Sequence, residues 1–158
     1  MSEENKELMD QTEESAFNIW DKSVPVEKSA YLVEEPTILN YDNLTAPAEG
    51  EYAMIDLFSG AGGFAVGCGF AGFTSVLGID HFAPAMDTWI YNHPKAMGCL
   101  GDIRAVDPNK MQQLLCDKGI KKIHLLTGGV PCQGFSRANR KHNDFDERNF
   151  LFLEYMKY

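Results

Sequence analysis

Residues 52–64 read YAMIDLFSGAGGF. Tyr52 to Phe58 is a short apolar run, suited to a strand buried on both faces of a parallel sheet. Ser59 to Gly63 (SGAGG) is a turn, since glycine opens backbone conformations closed to other residues. Phe64 to Ala71 then reads as a short helix, weakened by Gly67 and Gly69. Strand, glycine turn and helix make one βα unit.

The alternation continues outward. Thr74 to Ile79 is a second strand, ending at Asp80. Pro84 to Tyr91 is a second helix, stopped at Asn92-His93-Pro94 because the residue before proline avoids helical angles. Ala96 to Leu100 is a third strand, leading into Gly101-Asp102-Ile103. Asp107 caps a helix that has Pro108 at its first position, runs to about Lys118 and is ended by Gly119. Ile123 to Thr127 is a fourth strand, 128–146 a long polar loop, and 147–158 the start of a last helix. This pattern predicts an α/β fold: a parallel sheet with right-handed crossovers, made of four βα units. Ligands of such sheets bind at the carboxyl ends of the strands. The SGAGG turn, Asp80, Gly101-Asp102-Ile103 and Gly129 to Phe135 all fall at such ends, so one shared site is expected.

Ahead of this domain, residues 1–50 hold twelve Asp/Glu and three Lys, so the whole net charge of −9 lies there, while residues 51–158 balance. They read as an acidic, weakly structured leader to a domain spanning 51–158. Ser15 to Trp20 is an apolar stretch fit for one helix turn, and Pro25, Pro36 and Pro47 interrupt the rest. Trp20, Tyr31 and Ile38 are candidates to dock on the domain. No run of 18 apolar residues occurs and the polar N-terminus is unlike a secretory signal, which predicts a cytoplasmic protein with no membrane span. Cys68, Cys99, Cys116 and Cys132 show no CxxC pair and no metal-ligand spacing with the four histidines, so free thiols and no metal are expected.

The turn suits a nucleotide-type ligand. Gly60-Ala61-Gly62 lets the backbone pass close to it. Asp80, at the end of the next strand, can accept both hydroxyls of a ribose. Asp102 can accept from an adenine amino group, with Ile103 packing on the ring. Gly60, Gly62 and Ala65 also satisfy the dinucleotide fingerprint, so a NAD-binding oxidoreductase half stands as a rival, as does a tight turn with no ligand. Asp56 tips the balance. Two residues before the turn, its carboxylate would repel a pyrophosphate but suits a cationic ligand such as a sulfonium.

The second decisive stretch is LTGGVPCQGFS, residues 126–136. Pro131 stiffens the turn and sets Cys132 at its tip, on the ligand side of the sheet. A thiolate is a strong nucleophile, and nearby cations lower its pKa. Arg137, Arg140, Lys141 and Arg148 follow within sixteen residues and, with Gln133 and Ser136, suit the phosphates of a polyanion.

These residues carry a family resemblance. Asp56-Leu57-Phe58-Ser59-Gly60-Ala61-Gly62-Gly63-Phe64 resembles the first motif of the 5-cytosine DNA methyltransferases. Gly129-Val130-Pro131-Cys132-Gln133-Gly134-Phe135-Ser136 resembles their Pro-Cys-Gln motif. Asp80, with His81 after it, and Gly101-Asp102-Ile103 fall where the family binds ribose and adenine. Residues 146–152 (DERNFLF) resemble the segment after the catalytic loop. The five segments stand in family order across 51–158. The resemblance implies a Rossmann-like methyltransferase fold that uses S-adenosylmethionine (SAM), with double-stranded DNA as partner. It implies that a cytosine flips out of the duplex, that the Cys132 thiolate adds to C6, and that C5 then takes the methyl group. It also implies that Phe58, Ser59, Ala61, Gly63, Pro131 and Leu151 border the cofactor, that Gln133 and Ser136 ride a loop closing over DNA, and that Arg148 holds a phosphate. A monomer is implied, with a cognate restriction endonuclease as a conceivable companion. An RNA cytosine substrate and a non-catalytic binding module are the alternatives.

The chain also departs from the family. His81 replaces an aromatic residue after the ribose acid. The family's Glu-Asn-Val segment, later arginine motif, target-recognition domain and C-terminal helix do not occur. The chain stops at Tyr158 inside an expected helix, and strands in the order 3-2-1-4 would leave the fourth as a sheet edge. The sequence therefore reads as a fragment.

Overall fold

The computed structural model describes residues 35–130 and 151–158. Within them five strands form one sheet: β1 Thr37–Leu39, β2 Tyr52–Leu57, β3 Phe73–Asp80, β4 Met97–Leu100 and β5 Leu125–Gly128. The helices are α1 Gly63–Gly69, α2 Ala83–Asn92, α3 Pro108–Asp117 and α4 Leu151–Tyr155, with single 3₁₀ turns at Tyr41–Asn43 and Ile103–Ala105. Local signals set these bounds. The Asp107 side chain accepts the Asn109 N–H and Pro108 opens α3, while Gly119 leaves it with a φ of 81°. β5 begins two residues later than the apolar pattern suggests. There His124 accepts the Ala53 N–H on its Nδ1 (3.1 Å), and its own N–H reaches the Ala53 carbonyl, so an imidazole stands in for one rung of the ladder.

The sheet order is β1-β4-β3-β2-β5. The four strands from β2 to β5 are parallel and in the expected order, with Leu57 opposite both Ile79 and Gly128 and Asp80 opposite Leu100. Their carboxyl ends therefore lie along one edge. Ile55 and Leu57 point into the main core with Met111 and Leu115 of α3. Side chains alternate along a strand, so Asp56 faces the other way, toward α2, whose Met86 and Trp89 are fully buried. Gly78 and Gly98 make room for that helix. A Cβ on Gly98 would stand 2.8 Å from Ile90 Cδ1.

The domain begins earlier than the composition suggests. Residues 37–39, expected to belong to the leader, pair antiparallel with β4 and close that edge of the sheet, which makes it mixed rather than all parallel. Leu44 is 2% exposed in the main core. The Asn40 amide donates to the carbonyls of Pro94 (2.9 Å) and Ala96 (2.8 Å), and Lys118 stands over the Tyr41 ring. Ile38, read as a docking residue, packs on the main core. The expected helix turn at 15–20 and the docking of Trp20 and Tyr31 lie outside the described residues. No helix among the described residues is long and apolar enough to cross a membrane.

Candidate functional site

Among the described residues, the glycine turn, Asp80, Gly101-Asp102-Ile103 and Gly128-Gly129 lie at the carboxyl edge of the parallel strands. The turn after β2 begins with Phe58 at a φ of 54°, a left-handed conformation that a bulky side chain rarely adopts. Gly60 has a φ of 53°, and a Cβ there would meet nothing within 4 Å, so the backbone is open on that side. Ser59 donates its N–H to the Ile79 carbonyl (3.0 Å), and Gly62 donates to the Ser59 carbonyl (3.0 Å). Ala61 and Gly63 are exposed.

Asp80 ties this edge together. Its Oδ2 accepts the Gly60 N–H at 2.8 Å, across twenty residues, and its Oδ1 accepts the Phe82 N–H at 2.9 Å. Its carbonyl accepts the Gly101 N–H at 2.9 Å. The Asp80 carboxylate thus fixes the glycine turn and the start of α2, and its backbone carbonyl holds the end of β4. His81 is exposed, with Nδ1 3.6 Å from Asp80 Oδ1.

Asp102 lies at the end of β4 as expected, but it is engaged. It caps the 3₁₀ turn by accepting the Arg104 N–H (2.9 Å), and the Arg104 guanidinium pairs with both of its oxygens. That side-chain bond, opposed by partial burial, holds the Asp102 carboxyl below the usual range. Any ligand amino group must share this carboxylate with Arg104, a partner that sequence reading missed. Ile103 is buried in the main core, so it presents no open face for a ring.

Two further expectations need correction. Gly62 is buried, and a Cβ on it would stand 2.9 Å from Trp89 Cδ1 and 3.3 Å from His93 Nε2. Its glycine serves the packing of α2 beneath the turn rather than the approach of a ligand. Asp56 is 1% exposed and lines no open surface. Its Oδ1 is 3.0 Å from the Thr127 hydroxyl, while Oδ2 has no hydrogen-bond partner. The Trp89 indole N–H is near enough to that carboxyl to favour its charge, but outside good hydrogen-bonding geometry. Burial pushes the Asp56 carboxyl above its ordinary range, and the nearby Asp80 charge adds to this. Ser59 Oγ, Trp89 Nε1 and His93 Nε2 are likewise buried without partners, and burial lowers the His93 pKa. Trp89 on α2 and His93 at its C-terminal cap stand i,i+4 with ring centroids 4.6 Å apart, the one sequence signal that could have paired them.

The arrangement fits an adenosyl ligand. An anchored, partly exposed carboxylate stands beside an open glycine turn, with a second carboxylate one strand away. β5 delivers Gly128, Gly129 and Val130 to the same edge; a Cβ on Gly128 would stand 2.6 Å from the Leu57 carbonyl. Pro131, Cys132, Gln133, Ser136, Arg137, Arg140, Lys141 and Arg148 lie outside the described residues. Leu151, expected at the cofactor, is half-buried against the main core on α4, whose Tyr155 hydroxyl donates to the Leu126 carbonyl (3.0 Å). The other cysteines differ in setting: Cys99 is buried with its thiol pushed up to about 11, Cys68 is half-buried and Cys116 exposed. A thiol raised that far is inert as a nucleophile at neutral pH.

Residues 52–158 match the C-5 cytosine-specific DNA methylase family. The chain is 41% identical over 103 residues to the type II methyltransferase M.AgeI of Thalassovita gelatinovora, covering 64% of this chain and 23% of that protein. It is 34% identical over 105 residues to M.DdeI of Desulfomicrobium norvegicum, covering 66% and 24%. The crystal structure of a DNA modification methyltransferase encoded within an E. coli prophage is similar at a TM-score of 0.54 and 30% identity, over 66% of this chain and 27% of that one. The chain thus spans about a quarter of the length of these relatives.

Proposed function

Since the chain belongs to the C-5 cytosine-specific DNA methylase family, we propose that it forms the cofactor-binding and nucleophile-bearing part of a DNA (cytosine-5) methyltransferase. One observation supports this most directly. The Asp80 carboxylate is locked to the Gly60 N–H at the edge where β5 leads into the Pro131-Cys132 segment. A nucleoside held at Asp80 and the open turn would lie near β5, the strand after which Cys132 follows in sequence.

SAM would supply an electrophilic methyl group there. Asp80 would accept the ribose hydroxyls and Asp102 the adenine amino group, while Phe58, Ala61, Gly63 and His81 border the ligand. The Cys132 thiolate attacks C6 of a cytosine turned out of double-stranded DNA, forming a C6–S bond and pushing the ring electrons onto C5. The methyl group that the bound donor would supply would pass to C5, the electrons of its S–CH3 bond staying on the sulfur of the departing thioether. Loss of the C5 proton to a base and cleavage of the C6–S bond return the thiolate and leave 5-methylcytosine. Gln133, Ser136, Arg137, Arg140, Lys141 and Arg148 would hold the DNA backbone and the vacated base position. The same reading makes the protein a cytoplasmic monomer working beside a cognate restriction endonuclease, in keeping with the type II naming of its relatives.

Calorimetry with SAM, S-adenosylhomocysteine and NAD tests the cofactor, and covalent trapping on 5-fluorocytosine DNA tests the nucleophile. Fluorine at C5 cannot leave as a proton, so the C6–S adduct persists. We expect both adenosyl ligands to bind, NAD not to bind, and an adduct that is lost in Cys132→Ala. Binding of NAD without SAM, or an adduct surviving in Cys132→Ala, would overturn the reading.

A further inference from the structure

Asp56 is the most deeply buried acid among the described residues, and its surroundings specify a protonation state. The Thr127 hydroxyl carries one proton and has two acceptors in reach, the Ile55 carbonyl at 3.2 Å and Asp56 Oδ1 at 3.0 Å. If Asp56 is ionised, that proton serves only one of them well, and Oδ2 stays charged, buried and unpartnered. If Asp56 carries a proton on Oδ1, it donates to Thr127 Oγ and Thr127 donates to Ile55. The chain of donors then runs one way, and only a neutral oxygen is left over. A buried neutral acceptor costs far less than a buried unpaired charge.

The groups around it agree. β3 places Gly78 opposite Asp56 and ends in the anionic Asp80. β5 contributes Thr127, and α2 contributes the Trp89 indole, with His93 behind it. No described lysine or arginine forms an ion pair with Asp56. Nothing cationic in the described protein compensates a charge there, and the strand runs from Asp56 straight into the turn that would hold a sulfonium.

We infer that Asp56 is a neutral carboxylic acid in the ligand-free protein and ionises when a cationic methyl donor occupies the glycine turn, releasing its proton to solvent. This rests on the proposed cofactor. After methyl transfer the sulfur of the product is uncharged, and Asp56 takes a proton back from solvent. The residue thereby distinguishes donor from product, two molecules that differ at this end by one methyl group and one charge. Affinity for SAM rises with pH by up to about tenfold per unit across the titration of Asp56, while affinity for S-adenosylhomocysteine stays level.

Infrared difference spectra of the whole chain test this without turnover. A protonated-acid carbonyl band is expected in the ligand-free protein at neutral pH, absent from Asp56→Asn and shifted in Thr127→Val, which alters the hydrogen bond while keeping the acid. Saturating SAM should abolish the band and S-adenosylhomocysteine should leave it. A ligand-free protein without the band, or a band that persists with SAM bound, overturns the inference alone. Failure of both adenosyl ligands to bind the wild-type chain would sink the cofactor reading, and this inference with it. If Asp56→Asn does not fold, the Thr127→Val shift still assigns the band.

Discussion

Trp89 lies flat across Gly78: a Cβ on that glycine would stand 2.5 Å from the indole Cε2 and 2.6 Å from Cζ2. The indole is fully buried and cannot swing away. Gly78→Ala is therefore expected to cost about 1–3 kcal/mol through overpacking. Urea unfolding checks this as a lower midpoint with an unchanged slope. A wild-type midpoint would mean that α2 does not seat against β3 as described.

Gly60→Ala should behave differently. Space is open around a new Cβ, and only the positive φ is strained, so stability falls by about 1 kcal/mol. Binding of SAM should weaken far more, because the methyl group projects where the ligand must pass. Calorimetry on the folded variant separates the two effects, and an unchanged affinity would remove the turn from the binding surface.

Asp80→Asn tests the carboxylate that joins the glycine turn to the start of α2. Each Asp80 oxygen accepts a backbone N–H, from Gly60 and from Phe82. An amide has one acceptor oxygen, so one N–H would face an NH₂ group. A stability loss of about 1–3 kcal/mol is expected, with SAM affinity reduced at least tenfold. Thermal unfolding with and without ligand reads both.

Two acids should give pH profiles of opposite sign. The folded pKa of Asp56 lies above its unfolded value. Its contribution is full below the unfolded pKa and is lost as pH rises through the folded one. Asp56→Asn should therefore gain stability relative to wild type as pH climbs from about 4 toward neutrality. Asp102 is lowered, first by Arg104. Its contribution is present above the unfolded pKa and is lost as pH falls through the folded one. The deficit of Arg104→Ala should be largest near neutrality and shrink below about pH 4. Denaturation midpoints across that range check both directions.

Leu44 sits in a stretch that composition assigns to a leader, where a truncation should cost under about 0.5 kcal/mol. Because Leu44 is buried in the main core, Leu44→Ala is expected to cost about 2–5 kcal/mol. A chemical denaturation curve decides between the two figures.

The four parallel strands and their order were legible because each is a short apolar run between turn signals. Asp107, Pro108 and Gly119 announced α3 in the same way. Asp80 was legible from its place after the second strand. β1 was not, since three residues between prolines carry no periodicity and their partner, β4, lies about sixty residues away. Gly62 was read against a ligand, while the structure packs it on Trp89, and no local pattern reveals which helix packs under a turn. The burial of Asp56 was missed for the same reason, since its neighbours Trp89 and Thr127 come from distant elements. Arg104 was missed because a charged residue after an acid ordinarily means only a solvated surface.

The front of the sheet has a mechanical consequence. Pro36 rests on Gly101, within 3.0 Å of where its Cβ would be, and Thr37–Leu39 are zipped along β4. Tension applied to the chain at Pro36, as through a surface tether, would be delivered in the plane of the sheet to the turn carrying Asp102. Peeling that outer ribbon would slacken the turn carrying Asp102 before the central strands bear any load.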